Sequence, residues 1–275
     1  MRETQATKSY DIGPKQLLTY NDYRLIVLAF RDRIVEPERA IGQNAFCILR
    51  HDVEFSLARA LTMAKIDAAL GVKSTFYIQT RSNAYNAVSS ANAAIIRKIK
   101  DLGIDIGLHL YTSHLADHDW AALGRELAFQ SSILAHVLGE KITRFSTHRP
   151  SPWFLQARHD EISGMLNAYG PSFFEYTTDM HSRSVSFLTD SRRRWDYGHP
   201  LDHIKDNRVQ LALHPDEWSV TGADTRSNFD ALIIEQEESF LQTLRAECTH
   251  YSRSLSLANL KDRKASSKSI GTSIV

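Results

Sequence analysis

Only two of the 275 residues are cysteine, Cys47 and Cys248. That is too few for a disulfide framework, and the scarcity predicts a reduced compartment. No run of residues approaches the ~18 consecutive apolar positions of a membrane span. The first ten residues are polar and lack the basic start and apolar stretch of a secretory leader, so the sequence predicts a cytoplasmic protein without a membrane span. Neither sign of charge dominates: 33 basic and 32 acidic residues give a net charge of +1. So weak a field does not hold nucleic acid or an anionic membrane. No internal repeat or low-complexity linker divides the chain, and 43% hydrophobic content suffices to bury the core of one large domain. The expected organisation is an N-terminal extension over 1–20, one domain over 21–260 and a mobile tail over 261–275, where the sequence turns too polar to offset the entropy of ordering.

What is present is a repeated switch between short apolar runs and helical stripes, the pattern of βα units around a parallel sheet or barrel. Residues 21–33 read as an added N-terminal helix with Tyr23, Ile26, Val27 and Phe30 inward. A first strand over 45–49 is followed by a helix that Ser56 caps, with Leu57, Leu61, Ala64 and Ala68 on one face and Gly71 just past its end. A strand over 74–78, a helical stripe of Ile95, Ile96, Ile99 and Leu102 closed by Gly103, and a strand over 104–108 come next. Asp119 opens a longer helix that Gly139 stops. Strands over 145–147 and 209–213 and a final helix over 228–248 complete the regular part. Between Ser151 and His199 the pattern is weaker, with strand-like stretches at 173–176 and 185–188.

Leu49-Arg50-His51-Asp52-Val53-Glu54 puts a charged, metal-competent cluster at the end of the first strand, and two further apolar runs break off at His109 and His214. Strand ends are where an α/β protein opens to ligand, so three of them delivering His or Asp to one rim point to an enzyme. With 12 histidines in the chain, a single one is by default a surface or core residue. His118, His136, His159 and His250, on helices or polar loops, keep that reading, whereas His109 and His214 are placed for function. Imidazole nitrogen and carboxylate oxygen are the usual donors to zinc-like ions, which makes Asp52 and His109 the first candidates for ligands. His51 and Asp52 face opposite sides of an extended strand unless a frayed end brings both to one pocket. Asp52 and Glu54 share a face, and such a pair can divide metal ligation from proton acceptance. Equally, Glu54 can brace the N-terminus of the following helix.

The runs at 50–54, 71–77 and 103–109 resemble the polysaccharide deacetylase family, of carbohydrate esterase type, in a branch with a His-Asp-Val-acid opening. The resemblance continues through His148-Arg149-Pro150, Asp190 to Trp195, and Leu211 to His214, and so spans roughly residues 45–218. It implies a distorted (β/α) barrel and a divalent metal ion, zinc or else iron, cobalt or nickel. It also implies hydrolysis of the N-acetyl group of an amino sugar. Together with the expected cytoplasmic location, this makes a precursor in surface-polysaccharide synthesis, nucleotide- or lipid-linked, the expected substrate. By position, Asp52 resembles the metal-binding Asp, His109 the first metal-binding His, Arg149 the arginine that orients the base and His214 the catalytic acid. Asp190 and Trp195 resemble the pair that supports and shields that histidine. Two departures stand out. His51 occupies the place of the usual base, so that His51 or Glu54 must take the proton. The second metal-binding His falls on Ser113, leaving His114, one position late, or His148, which needs no loop distortion, as third ligand. Trp153, Trp195 and Trp218 are either packing or a platform for the apolar face of a sugar. Arg192-Arg193-Arg194 is either a solvated turn or a fork for phosphate. The alternatives are a non-catalytic carbohydrate-binding protein that kept the barrel, or another metal-dependent C–N hydrolase.

Overall fold

The computed structural model describes residues 18–175 and 184–248. The expected C-terminal tail, most of the N-terminal extension, Tyr176 and His250 lie outside the described residues. One compact unit ends at Thr225 and holds the sheet; the second starts at Arg226, and its described part is helical. Among the described residues no helix is long and apolar enough to cross a membrane.

Helix α1 (Tyr20–Phe30) starts where Thr19 Oγ1 accepts the Asp22 amide at 3.0 Å and the Asp22 carboxylate accepts the Thr19 amide in return, a reciprocal cap. It buries Tyr23, Ile26, Val27 and Phe30. A short α2 (Pro37–Ala40) precedes β1 (Phe46–Val53). Ser56 caps α3 (Leu57–Leu70), and Gly71, at φ 67°, ends it in the left-handed region that glycine enters without cost. Then follow β2 (Ser74–Ile78), α4 (Ser90–Asp101), β3 (Asp105–Tyr111), α5 (Trp120–Leu138) and β4 (Arg144–His148). The remainder is α6 (Pro152–Gln156), β5 (Glu161–Ile162), β6 (Met165–Asn167), β7 (Ser186–Thr189), β8 (Arg208–Leu213) and α7 (Thr225–Glu247). One expected strand is absent: the amides of Phe173 and Phe174 both bond to the Gly170 carbonyl at 2.9 Å, so this stretch is a turn. Strands β1 and β3 outrun their apolar cores by several residues, because the residues at their ends still pair with β2 and β4 respectively.

The strands form one sheet in the order β5-β6-β4-β3-β2-β1-β8-β7, parallel throughout except for β5 against β6. It curls. Gln210 of β8 donates to the carbonyls of Ala168 and Phe173 at 3.2 and 2.7 Å, and Arg50 of β1 reaches the Tyr169 hydroxyl at 2.7 Å, all just beyond β6. Phe187 of β7 packs edge-on to Phe174 at 5.1 Å. Groups adjoining opposite edges of the sheet thus meet across its inner face, and the α/β architecture is a distorted, open (β/α) barrel.

The alternation of side chains along a strand assigns each position to a face. On β1, Phe46 and Ile48 join Leu166, Phe173 and Val185 in an inner apolar cluster, whereas Cys47, Leu49 and Val53 pack in the larger core shared with the helices. Arg50 and Asp52 continue the inner series, and His51 falls on the helix side. The inner face is tight beside β2. A Cβ on Gly107 would lie 2.6 Å from two ring atoms of buried Tyr77. Gly107→Ala is expected to lower stability by about 1–3 kcal/mol, as overpacking does. Urea unfolding would measure this, and an unchanged midpoint would mean that the Tyr77 ring moves aside freely.

Candidate active site

The inner-face residues at the C-terminal ends of β1, β3, β4 and β8 converge. Glu54, one residue past β1, brings its Oε1 within 3.1 Å of His109 Nε2 and 2.7 Å of His148 Nδ1. The donor atoms of these three residues all lie within 4.8 Å of one another. His214 Nε2 stands 4.0 Å from the same Glu54 oxygen. Burial opposes ionisation of Glu54, but the hydrogen bonds from His109 and His148 and the charges of the histidines outweigh it and hold its pKa well below the ordinary range. One carboxylate and two imidazoles form a donor set suited to a zinc-like divalent cation.

The hydrogen bonds behind His109 strengthen that fit. Ser146 of β4 donates to Asp52 Oδ1 at 3.0 Å, so it meets His109 Nδ1, 2.7 Å away, as an acceptor. Nδ1 therefore donates to Ser146, and Nε2 is the ring nitrogen left facing Glu54. A proton or a metal cation between Nε2 and the Glu54 oxygen, 3.1 Å apart, joins the two groups. Asp52 thus orients His109 through a serine, the arrangement by which second-layer carboxylates commonly hold a ligating histidine. Its Oδ2 accepts from Arg50 Nη2 at 2.9 Å, and the side chain is 3% exposed. Burial raises its pKa, and the larger combined pull of Arg50, His109 and His214 lowers it. Arg50 in turn is fixed by Gln210 at 3.0 Å and by Tyr169. Ser146→Ala should weaken cation binding about 10–100-fold, the usual cost of losing an outer partner of a ligating histidine. A chelator competition titration reads this directly, and unaltered affinity would remove Ser146 from the account.

His214 follows β8 and is held from behind. Its Nδ1 donates to Asp190 Oδ1 at 2.7 Å, and its backbone amide adds bonds of 3.1 Å to both Asp190 oxygens. Trp218 Nε1 donates to Asp190 Oδ2 at 2.6 Å. Burial on its own would lower the His214 pKa; the Asp190 hydrogen bond and charge, with Glu54 and Asp52 beyond, reverse this and push it up to about 10. The ring is therefore a cation at neutral pH, with Nε2–H directed toward the cluster.

Other residues singled out in the sequence lie elsewhere. His51 does not reach the cluster. Its ring stacks on Phe76 at 4.1 Å, and Nε2 bonds to the Tyr23 hydroxyl at 2.9 Å on the helix side of β1. Burial, partly opposed by Asp52, lowers its pKa to about 3, so it is neutral there. His114 turns toward α5, 3.3 Å from Glu126. Trp218 is 0% exposed, which places it behind His214 and out of reach of a sugar. Trp195 packs beside it, with ring centroids 6.4 Å apart. Trp153 is half-buried on the Arg149 side of the rim. Arg149 forms no ion pair with Asp52, whose guanidinium partner is Arg50. Arg192 and Arg194 both pair with Asp196 at 3.1 Å, and buried Arg193 binds Glu217, so the arginine run is not an open fork. Sequence reasoning missed Arg50, Ser146 and the Trp218 role. The even spacing Arg50-Asp52-Glu54 was the available signal for the first.

No family model and no curated protein matches the chain. Among solved structures it is similar to a CE4 family pseudoenzyme from Bacillus anthracis, at 15% identity and a TM-score of 0.43, covering 72% of this chain and 62% of that one. It is also similar to a family 4 carbohydrate esterase from Streptomyces lividans in complex with acetate, at 16% identity and a TM-score of 0.38, over 62% of this chain and 80% of that one. A family 4 acetyl xylan esterase from Clostridium thermocellum in complex with a cobalt ion shares 17% identity, with a TM-score of 0.37 over 70% of this chain and 84% of that one. The chain thus spans less than two thirds of the length of the Bacillus anthracis structure.

Proposed function

We propose that this protein is a metal-dependent hydrolase that removes an N-acetyl or similar acyl group from an amino sugar, acting in the cytoplasm on a precursor of a surface polysaccharide. The observation that carries the reading is the meeting of Glu54, His109 and His148 at one rim, with cationic His214 4.0 Å from the same carboxylate oxygen. A divalent cation, zinc by the donor chemistry, held by Glu54, His109 and His148 would polarise an acyl carbonyl and acidify a water molecule.

The remaining work falls to the chain itself. Asp52 and Ser146 keep the Nε2 of His109 aimed at the rim. Of the two candidates for proton acceptor, His51 and Glu54, only Glu54 faces the site, and its Oε2 takes no hydrogen bond among the described residues. Asp190 fixes His214 with Nδ1 bound and Nε2–H forward, the arrangement that delivers a proton to a departing amine. The same geometry serves an O-acyl ester, since both reactions build negative charge on a carbonyl oxygen and need a proton on the leaving group.

Acetate release from a panel of N-acetylated and O-acetylated sugars by the zinc-loaded protein tests this. Turnover that is lost with a chelator and restored by cation is the expected result. A protein that binds cation yet releases nothing from any member of the panel would overturn hydrolysis and leave a carbohydrate-binding role.

A further inference from the structure

A cavity of about 190 Å³ is lined by Thr112, Ser113, Asp117, Arg149, Ser151 and Trp153, among others. It adjoins the metal-competent cluster through two chain neighbours. Arg149 directly follows His148, and Thr112 directly follows Tyr111, whose ring stacks on His148 at 5.6 Å.

The lining has a definite chemistry. Arg50, Arg144 and Arg193 are each tied to a carboxylate at 2.7 to 3.1 Å. Arg149 is exposed to solvent at the cavity, and its guanidinium has no hydrogen bond or ion pair among the described residues, although Asp117 lines the same cavity. Its backbone sits at φ 48°, a region costly for any residue but glycine, and such positions cluster where a ligand is held. Thr112, Ser113 and Ser151 line the same cavity and bring hydroxyl groups to it, and Asp117 brings a carboxylate able to accept from sugar hydroxyls. The Trp153 ring is braced by Trp120 at 4.9 Å and His118 at 5.3 Å, which gives the cavity a rigid apolar wall.

We infer that this cavity receives an anionic substituent of the substrate, a carboxylate or a phosphate borne by the acylated sugar, with Arg149 as its counter-charge and Trp153 against the ring. Guanidinium is the side chain best shaped to fork onto either oxyanion. The sharing of Arg roles fits: Arg50 holds the inner carboxylate, which leaves Arg149 for the ligand. Identification of the ligand as a substrate rests on the proposed hydrolysis; binding of the anion does not.

Calorimetric titration of the zinc-loaded full chain with N-acetylglucosamine, N-acetylglucosaminuronate and N-acetylglucosamine 1-phosphate tests the inference. At least one anionic sugar should bind about 10–100-fold more tightly than the neutral one, the scale of a hydrogen-bonded charge, and which one does so separates carboxylate from phosphate. Arg149→Gln should abolish the preference, and Arg149→Lys should keep part of it at low salt. Equal affinity for all three sugars, or a preference that survives Arg149→Gln, would overturn the site. Acetate release measured on the same sugars keeps the two readings apart: preference without release sinks the hydrolysis alone, and release without preference sinks the anion site alone.

Discussion

His109→Ala should leave a protein that purifies without its divalent cation, near zero per chain against about one for the parent, and with no acyl hydrolysis above background. His109 is the buried member of the donor set at 1% exposed, and it links Glu54 at the rim to Ser146 and Asp52 beneath. Losing an outer partner costs about 10–100-fold in affinity, so losing the ligand itself should cost more. Elemental analysis of protein dialysed against trace zinc measures the content directly. Because the substitution also opens space inside the barrel, the thermal melt should be recorded alongside it, with His109→Gln as the variant that preserves volume. Full cation content in both folded variants would show that the metal, if any, sits elsewhere, and the hydrolase reading would fall with it.

His214→Ala should behave oppositely: cation retained, turnover reduced by about 10²–10⁴-fold, the range for losing a positioned proton donor. The pH profile adds a sign. Burial favours the neutral ring, and Asp190 more than reverses this to bring the pKa to about 10, so activity that needs His214 protonated persists through neutral pH and falls as pH rises toward that value. Asp190→Asn removes the largest raising partner and should move the alkaline limb toward neutrality. The matching contribution to stability is present in full below the unfolded pKa of about 6.5 and is lost as pH climbs through the folded value. A His214→Ala protein that loses its cation would recast His214 as a ligand, and an unmoved alkaline limb in Asp190→Asn would detach Asp190 from the acid.

How far the sequence was legible depends on the range of each interaction. Period-2 alternation and helix punctuation are local, and the βα order from Ser56 to Gly139 can be read residue by residue. The same alternation sends His51 to the helix side and keeps Arg50, Asp52 and Glu54 together on the inner face. The division of labour within that face is not local. Asp52 rather than Glu54 looks like the ligand until Arg50 and Ser146, the latter 94 residues away, are seen to occupy both Asp52 oxygens. Trp218 reads as either packing or a sugar platform because nothing near it in sequence announces Asp190, 28 positions earlier. The turn at Phe173 and Phe174 fails for a related reason, since two bonds to one glycine carbonyl outweigh a β-favouring composition.

The helix ahead of the barrel has a bearing on proton delivery. The Tyr20 amide bonds to the Ser219 carbonyl at 2.9 Å, the Ser219 amide bonds back to Leu18 at 3.2 Å, and Tyr23 rests edge-on against Trp218 at 5.5 Å. The indole that steadies Asp190 is therefore backed by α1. Trimming or displacing that helix would unseat the Trp218 brace while sparing every candidate cation donor, so catalytic competence and metal retention become separable from the far end of the polypeptide.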